Sequence, residues 1–263
     1  MNLLLHGIGG EALTDLPVTT KDAFGSKHGE YEIVLTNPPF GKKSSVTIVG
    51  EDGDTQKESL VITREDFWAT TSNKQLNFLQ HVFTILKQHG RAAIVVPDNV
   101  LFEGGAGETV RRRLLAQADV HTLLRLPTGI FYAQGVKANV LFFDRKPAQE
   151  KPWTDKLWIY DLRTNQRFTL KENPLKRADL DEFVSCYNPA NRFERAESDR
   201  FKGFTFDDLI KRDKANLDIF WLNDDSLEDS ANLPAPSVIA LEIMEDLRAA
   251  LEQFATIAED IRV

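Results

Sequence analysis

The tetrapeptide Asn37-Pro38-Pro39-Phe40 combines groups that could act on an aromatic amine. A primary amine such as the exocyclic N6 of adenine carries two hydrogens, so orienting it requires two oxygen acceptors in fixed positions. The Asn37 side-chain oxygen and the Pro38 carbonyl can supply them, because each proline fixes its own φ and keeps the preceding residue extended. Phe40 adds a flat surface for base stacking. The sequence therefore predicts a catalytic loop formed by these four residues.

An apolar strand is expected to position this loop. Ile33, Val34 and Leu35 form a short β-favouring run that ends at the two prolines, which indicates a buried strand leading into a rigid turn. Lys42 and Lys43 follow the loop and are predicted to contact a DNA phosphate near the target base. A solvated lysine pair is the alternative.

A helix and a second strand are predicted next. Residues 44–57, rich in Ser, Thr, Asp and Gly, indicate an exposed loop. Apolar residues then recur at intervals of three and four between 76 and 86, after the capping candidates Ser72 and Asn73 and with Gly90 at the helix end. Residues 91–97 predict a fully buried strand of the parallel type, which completes a βαβ unit.

Further elements complete an α/β class. Residues 121–126 and 138–143 predict an antiparallel pair of strands, with 158–160 extending the sheet at its edge. Residues 103–108 predict a plain turn into a helix at 108–117, because the Walker spacing is absent. The helix carries Arg111, Arg112 and Arg113, for which a solvated face is favoured over DNA contact.

These motifs resemble, in type and order, those of the modification (methyltransferase) subunit of type I restriction-modification systems, which are N6-adenine DNA methyltransferases. Besides residues 37–40, the matching strings lie at 101–105, 126–131 and 214–219, and residues 1–8 are similar to an internal helix of that subunit. The resemblance covers nearly the whole chain. It implies a partial Rossmann-like, S-adenosylmethionine-dependent methyltransferase fold with a C-terminal helical extension.

The resemblance also implies cofactor contacts. Asp22 lies where the family often has Gly-Asp-Thr-Leu, and it is expected with Asn37 near the cofactor. The alternative is a turn residue or a helix cap. The family's glycine-rich turn after a first strand is not visible, because the cluster at 7–10 follows a predicted helix. We therefore expect the chain to be the C-terminal portion of a longer subunit, with weak cofactor binding or none.

The amino-acid composition argues against several classes of protein. The 263 residues include 32 Lys+Arg against 40 Asp+Glu, a net charge of -8, which argues against a stand-alone DNA binder. The single cysteine, Cys186, excludes an intramolecular disulfide and a cysteine-based zinc site. His81 and His121 lack ligand partners at metal spacing, so no metal is predicted. Without a long apolar run or a signal peptide, the chain is expected to be cytoplasmic and not membrane-bound.

Four segments are expected: a partial catalytic domain at 1–163, an irregular helical extension at 164–225, a linker at 226–236 and a C-terminal coiled-coil-like helix at 237–263. Arg192, Arg195 and Arg200 in the extension alternate with acids, which favours local ion pairs. Apolar residues of the last helix follow steps of four and three, and either pack on the chain's own core or bind a specificity subunit around Met244, Leu247, Leu251 and Phe254.

The predicted function is methyl transfer from S-adenosylmethionine to N6 of adenine in DNA, together with a specificity subunit that reads the sequence. Two alternatives remain open: a non-catalytic scaffold that binds the specificity subunit, and an amino-methyltransferase acting on RNA or protein. The presence of a nuclease subunit is left open as well.

Overall fold

The computed structural model describes residues 18, 20, 22–25, 29–40, 45–49, 55–59, 61–131, 136–166, 168–223 and 244, with only the backbone described at 45–49 and 55–59. The chain divides into two compact units, residues 1–221 and 222–263. Every strand that the structure describes lies in the first unit.

Strands and helices are interspersed along this unit. The strands are β1 (Tyr31–Thr36), β2 (Ser45–Val49), β3 (Thr55–Ser59), β4 (Leu86–Pro97), β5 (Ala118–Arg125), β6 (Ala138–Arg145), β7 (Lys156–Asp161) and β8 (Phe201–Thr205). The helices are α1 (Lys74–Ile85), α2 (Asn99–Phe102), α3 (Ala106–Gln117), α4 (Asp181–Tyr187) and α5 (Phe206–Lys211), with 3₁₀ turns at Arg177–Leu180 and Asp213–Ala215.

Six strands form one mixed sheet in the order β1-β4-β6-β5-β7-β8. The β1–β4 and β5–β7 pairs are parallel, whereas β6 is antiparallel to β4 and β5, and β8 is antiparallel to β7. It follows that β1, β4, β5 and β7 point the same way and end at one edge of the sheet, here called the carboxyl edge. The predicted α/β class, the βαβ unit β1-α1-β4 and the antiparallel β5–β6 pair are confirmed.

The prediction that the first strand is buried is wrong. Ile33 is 54% exposed and Leu35 is 76% exposed, whereas Val34 packs against the core. The reason is the place of β1, which is the last strand of the sheet within the described part of the chain. Only the side of β1 that carries Val34 is covered there.

The glycine expected at the end of the first helix serves another purpose. Helix α1 ends at Ile85 and β4 begins at once with Leu86, so Gly90 lies inside the strand. A Cβ at Gly90 would come within 2.9 Å of the Lys87 carbonyl oxygen and 3.0 Å of the Tyr31 carbonyl oxygen. The close approach of the backbone at Lys87 and Tyr31 therefore explains why residue 90 is glycine. Burial along β4 alternates, so the strand is not fully buried as predicted.

Three further elements differ from prediction. Residues 45–49 and 55–59 form an antiparallel hairpin, not a loop, because the run Ser-Val-Thr-Ile-Val at 45–49 favours β structure more than its polar neighbours oppose it. Strand β7 lies inside the sheet, and β8, from the segment predicted to be irregular and helical, covers its edge.

Both faces of the sheet are packed. On one face, residues of α1, α2 and α3 such as Leu79, Val100 and Leu114 join β-strand residues in one buried apolar cluster. On the other face, the cluster combines aliphatic residues with aromatic ones such as Tyr160 and Phe183. These two clusters fix the strands whose carboxyl ends carry the candidate site.

The arginine triplet of α3 does not form one solvated face. Arg113 is exposed and Arg112 pairs with Glu108 at 2.8 Å, but Arg111 is only 2% exposed. The Arg111 guanidinium donates hydrogen bonds of 2.6 to 3.1 Å to the carbonyl oxygens of residues 100, 103, 214 and 215. It thereby joins the α2–α3 turn to the 3₁₀ turn after α5.

The arginines at 192, 195 and 200 do not form the predicted local ion pairs. Arg192 binds Asp144 of β6 at 2.6 Å. Arg195 donates to a β5 carbonyl at 3.1 Å, and Arg200 donates to the last carbonyl of β7 at 2.9 Å. All three therefore tie the segment before β8 to the sheet.

Asp144 is the centre of a buried ionic group. Arg192 Nη2 lies 2.6 Å and His121 Nε2 lies 3.5 Å from its carboxylate oxygens. Burial would raise the pKa of Asp144, but hydrogen bonds from His121 and Arg192 outweigh it and hold that pKa well below its usual range. Burial in turn lowers the pKa of His121, an effect that Asp144 partly offsets.

We predict that this group makes folding sensitive to acid. Asp144 contributes stability above its unfolded pKa, about 4, and this stability is lost as the pH falls further. His121 acts in the same direction below about pH 6.5, because only the unfolded state takes up its proton readily. Asp144→Asn should lower the free energy of unfolding at pH 7 by up to about 3 kcal/mol, since it leaves the half-buried Arg192 without its carboxylate partner. It should also flatten the fall in that free energy below pH 5.

Asp119 provides the matched control, because it pairs with Asp144 across β5 and β6 while burial raises its pKa. Asp119→Asn should not flatten the fall in the free energy of unfolding at low pH. Urea unfolding of both variants at pH values from 3 to 8 measures this, and equal acid sensitivity of Asp144→Asn and the wild type would contradict the prediction.

Candidate active site

The Asn-Pro-Pro-Phe loop leaves β1 at the carboxyl edge of the sheet. Its residues alternate in exposure: Asn37 and Pro39 are exposed, Pro38 is buried and Phe40 is half-buried. Pro38 therefore anchors the turn in the protein, while the Asn37 side chain is accessible to a ligand. The structure thus brings together the strand, the rigid turn and the exposed amide that the predicted amine-binding role requires.

Phe40 packs against a second aromatic ring. The ring of Phe131 lies 6.0 Å from it, centroid to centroid, at an interplanar angle of 67°. This contact joins two strings, 37–40 and 126–131, that are distant in sequence. The sequence placed Phe131 in a family string but gave it no role in the site. The available signal was that Phe131 is the only aromatic residue of that string.

The segment that carries Phe131 is held tightly at its start and centre. The Leu126 amide donates to the Ala138 carbonyl at 3.0 Å. Gly129 has a φ of +84°, and a Cβ there would lie 2.0 Å from the Phe168 carbonyl oxygen. Only glycine fits a backbone conformation this crowded. Residues 126–131 are therefore pinned between β6 and the segment that follows β7.

A polar network lies beneath this segment. Arg163, just after β7, donates to both Asp98 carboxylate oxygens at 2.8 and 2.9 Å, and to the carbonyl oxygens of Leu126 and Ala138 at 3.1 Å. Asn139 donates to Asp98 at 2.9 Å. Burial would raise the pKa of Asp98, but these hydrogen bonds lower it. One ionic group thus joins the ends of four neighbouring strands.

Asp22 occupies a turn. Its side-chain oxygen accepts a hydrogen bond from the Phe24 amide at 3.0 Å, and its carbonyl accepts one from the Gly25 amide at 3.3 Å. Phe24 packs on Phe78 of α1, with ring centroids 4.6 Å apart. This is the turn geometry of the alternative interpretation. The cofactor role of Asp22 remains a prediction.

S-adenosylmethionine fits the described residues only in part. Asn37 and Asp22 are accessible oxygen-bearing groups, but the described residues include no glycine-rich turn that follows a strand at the carboxyl edge. Lys42, Lys43 and the glycine cluster at 7–10 lie outside the described residues.

The comparison with known proteins decides the family. The family model described as N-6 DNA Methylase matches residues 1–222. The chain belongs to the N-6 DNA methylase family. The type I restriction enzyme StySJI methylase subunit of Salmonella typhimurium is 37% identical over 99% of this chain and 53% of its own length. The EcoKI methylase subunit of Escherichia coli gives the same values.

A solved structure supports the same assignment. The crystal structure of the type I restriction enzyme EcoKI M protein has a TM-score of 0.70 and 35% identity, and the match covers 100% of this chain and 57% of that one. The predicted partial methyltransferase fold is thus confirmed. This member of the N-6 DNA methylase family spans about half the length of the curated relatives it matches.

A cavity elsewhere in this N-6 DNA methylase chain does not belong to the candidate site. It has a volume of about 170 Å³ and lies at the amino ends of β5 and β7, between Asp119, Lys156, Trp158 and Arg192. Its charged groups have both signs, and Arg192 is already paired with Asp144.

Among the described residues there is no cluster that could hold a metal ion, and none of the described helices could cross a bilayer.

Proposed function

We propose that the protein containing this chain transfers a methyl group from S-adenosylmethionine to N6 of adenine in DNA. The main support is the position of Asn37, exposed at the carboxyl edge of the sheet beside the Phe40–Phe131 pair, in a chain of the N-6 DNA methylase family. Because the chain spans about half of its relatives, the proposal concerns the whole protein that contains it.

The residues of the loop have separate roles in this reaction. The target adenine leaves the duplex and stacks on Phe40. The Asn37 side-chain oxygen and the Pro38 carbonyl each accept one N6 hydrogen, which turns the nitrogen lone pair away from the ring and toward the methyl donor. When bound, S-adenosylmethionine would supply an electrophilic methyl group: the N6 lone pair would form the new C–N bond as the methyl–sulfur bond breaks, S-adenosylhomocysteine would leave, and the surplus N6 proton would pass to water. As N6 gains positive charge, the two oxygens stabilise it more strongly than in the ground state.

Partners are part of the proposal. With a net charge of -8, the chain is poorly suited to bind DNA alone, so we assign sequence reading to a specificity subunit and phosphate contact to Lys42 and Lys43. The proposed contact for that subunit is the helix around Met244, Leu247, Leu251 and Phe254. Met244 is helical and 47% exposed, and the other three lie outside the described residues. A nuclease subunit would complete the restriction enzyme, and modification of chromosomal DNA would take place in the cytoplasm.

The test uses the protein that contains this chain, purified with the subunits that bind it. It is incubated with S-adenosylmethionine labelled in the methyl group and with unmodified DNA, RNA or protein. We expect label in DNA alone, recovered as N6-methyladenine. Label in RNA or protein would instead favour an amino-methyltransferase that acts on that substrate. Titration calorimetry addresses the scaffold alternative, which predicts no cofactor binding although the specificity subunit still co-purifies.

A further inference from the structure

We propose that Arg163 is a positioning residue for the target base. By joining the ends of β4, β5 and β6, it holds Phe131 against Phe40 and so fixes the surface on which the base stacks. This inference rests on the proposed function. It concerns a residue outside the Asn-Pro-Pro-Phe loop and outside the family strings found in the sequence.

The geometry at Arg163 requires a guanidinium group. Its side chain is 11% exposed, and its two terminal nitrogens bind the two Asp98 oxygens in parallel while Nε reaches the Leu126 carbonyl at 3.1 Å. A planar fork can make these bonds together, because its donors point in fixed directions. Lysine carries a single nitrogen at this position and can keep the charge but not the set of bonds.

The contacts continue from Arg163 to the aromatic pair. The Leu126 carbonyl that Arg163 binds belongs to the first residue of the 126–131 segment, and Phe131 is its last. The centre of the segment is fixed by Gly129 against Phe168, which follows Arg163 in the chain. A shift of Arg163 therefore moves the start of the segment and loosens its centre together. Phe131 meets Phe40 only if both are in place.

The aromatic pair matters because a flipped base binds mainly by stacking, an interaction that changes affinity by about tenfold per base. Stacking is present both before and during methyl transfer. Its loss should therefore raise KM for DNA and leave kcat nearly unchanged. Loss of the Asn37 oxygen should have the opposite signature, because its contribution grows in the transition state.

The experiment compares Arg163→Lys with Arg200→Lys in the protein that contains this chain. Arg200 is the matched control, because it is half-buried and donates to the Asp161 and Thr164 carbonyls, but it does not bind the 126–131 segment. Arg163→Lys should raise KM for DNA about tenfold with kcat within about twofold of wild type. Arg200→Lys should leave both constants near their wild-type values.

Two readouts separate positioning from a general structural role. If Arg163 acts through Phe131, adding Arg163→Lys to Phe131→Ala should raise KM no further. Hydrogen exchange of the 126–131 amides should also become faster in Arg163→Lys and not in Arg200→Lys. Additive effects on KM, or equal exchange in the two variants, would overturn the inference.

The outcomes for the proposed function are distinct. A wild-type protein that methylates no DNA would refute the proposed function, and with it the role of Arg163 in base stacking. An active wild type in which Arg163→Lys behaves like Arg200→Lys would refute the inference alone.

Discussion

Replacing Asn37 with alanine is expected to lower kcat for DNA methylation about 10²-fold while DNA binding is retained. The magnitude follows from other reactions in which one preorganised polar group that faces the developing charge is removed. Here the charge is positive and appears on N6, so the group that is lost is an acceptor. DNA binding should persist, because it depends mainly on phosphate contacts and not on this amide.

Aspartate at the same position provides the matched variant. Asn37→Asp keeps an oxygen acceptor of nearly the same shape and loses only the amide donors, so it should retain more activity than Asn37→Ala. Because Asn37 is exposed, neither change should lower the melting temperature appreciably. Methyl incorporation at saturating DNA and gel-shift binding measure the two effects. An alanine variant with near wild-type kcat would show that Asn37 does not orient the amine.

The kinetic contrast between Asn37 and Arg163 tests the site as a whole. Asn37 is proposed to contact the reacting nitrogen, so its replacement should change kcat. Arg163 is proposed to act through the stacking surface, so its replacement should change KM. If both variants changed the same constant, the separation of the carboxyl edge into an amine-binding part and a base-stacking part would be wrong.

Local patterns were sufficient for several elements of the fold. The start of α1 is one example: the Asn73 side chain accepts hydrogen bonds from the amides of Gln75 and Leu76 at 3.0 and 3.3 Å, as its capping position predicts. The β5–β6 pair is another. Both depend on neighbours within a few residues or on apolar periodicity, which a single sequence displays directly.

Features that depend on distant partners were not predictable. Phe131 gains its place in the site from Phe40, and Arg163 from Asp98 and Leu126, all far away in sequence. Strand β8 was missed because a short segment becomes a strand only when the edge of β7 is there to pair with it. Exposure of β1 depends in the same way on what lies beside it in the sheet.

The burial of Arg111 could not be predicted from the sequence either. Replacing this residue has the largest expected effect on stability. Three consecutive arginines point about 100° apart on a helix, so they cannot all face the same way, but this spacing does not determine which of them is buried. In α3 that residue is Arg111, whose pKa burial lowers to about 10, so that it stays charged at neutral pH. Its hydrogen-bond partners are four backbone carbonyls and not a carboxylate. If the guanidinium is removed, these carbonyl oxygens still require hydrogen-bond donors.

Arg111→Leu should therefore lower the free energy of unfolding by about 3 kcal/mol or more. Loss of a buried charge gives back some desolvation energy, but each carbonyl left without a donor costs about 1 to 3 kcal/mol, and several are left at once. Arg113→Leu, two residues along the same helix and exposed, should change stability by less than about 0.5 kcal/mol. Urea unfolding of the two variants measures the difference. If they unfolded at the same midpoint, the hydrogen bonds to the carbonyls of residues 214 and 215 would not hold the turn after α5 against α3.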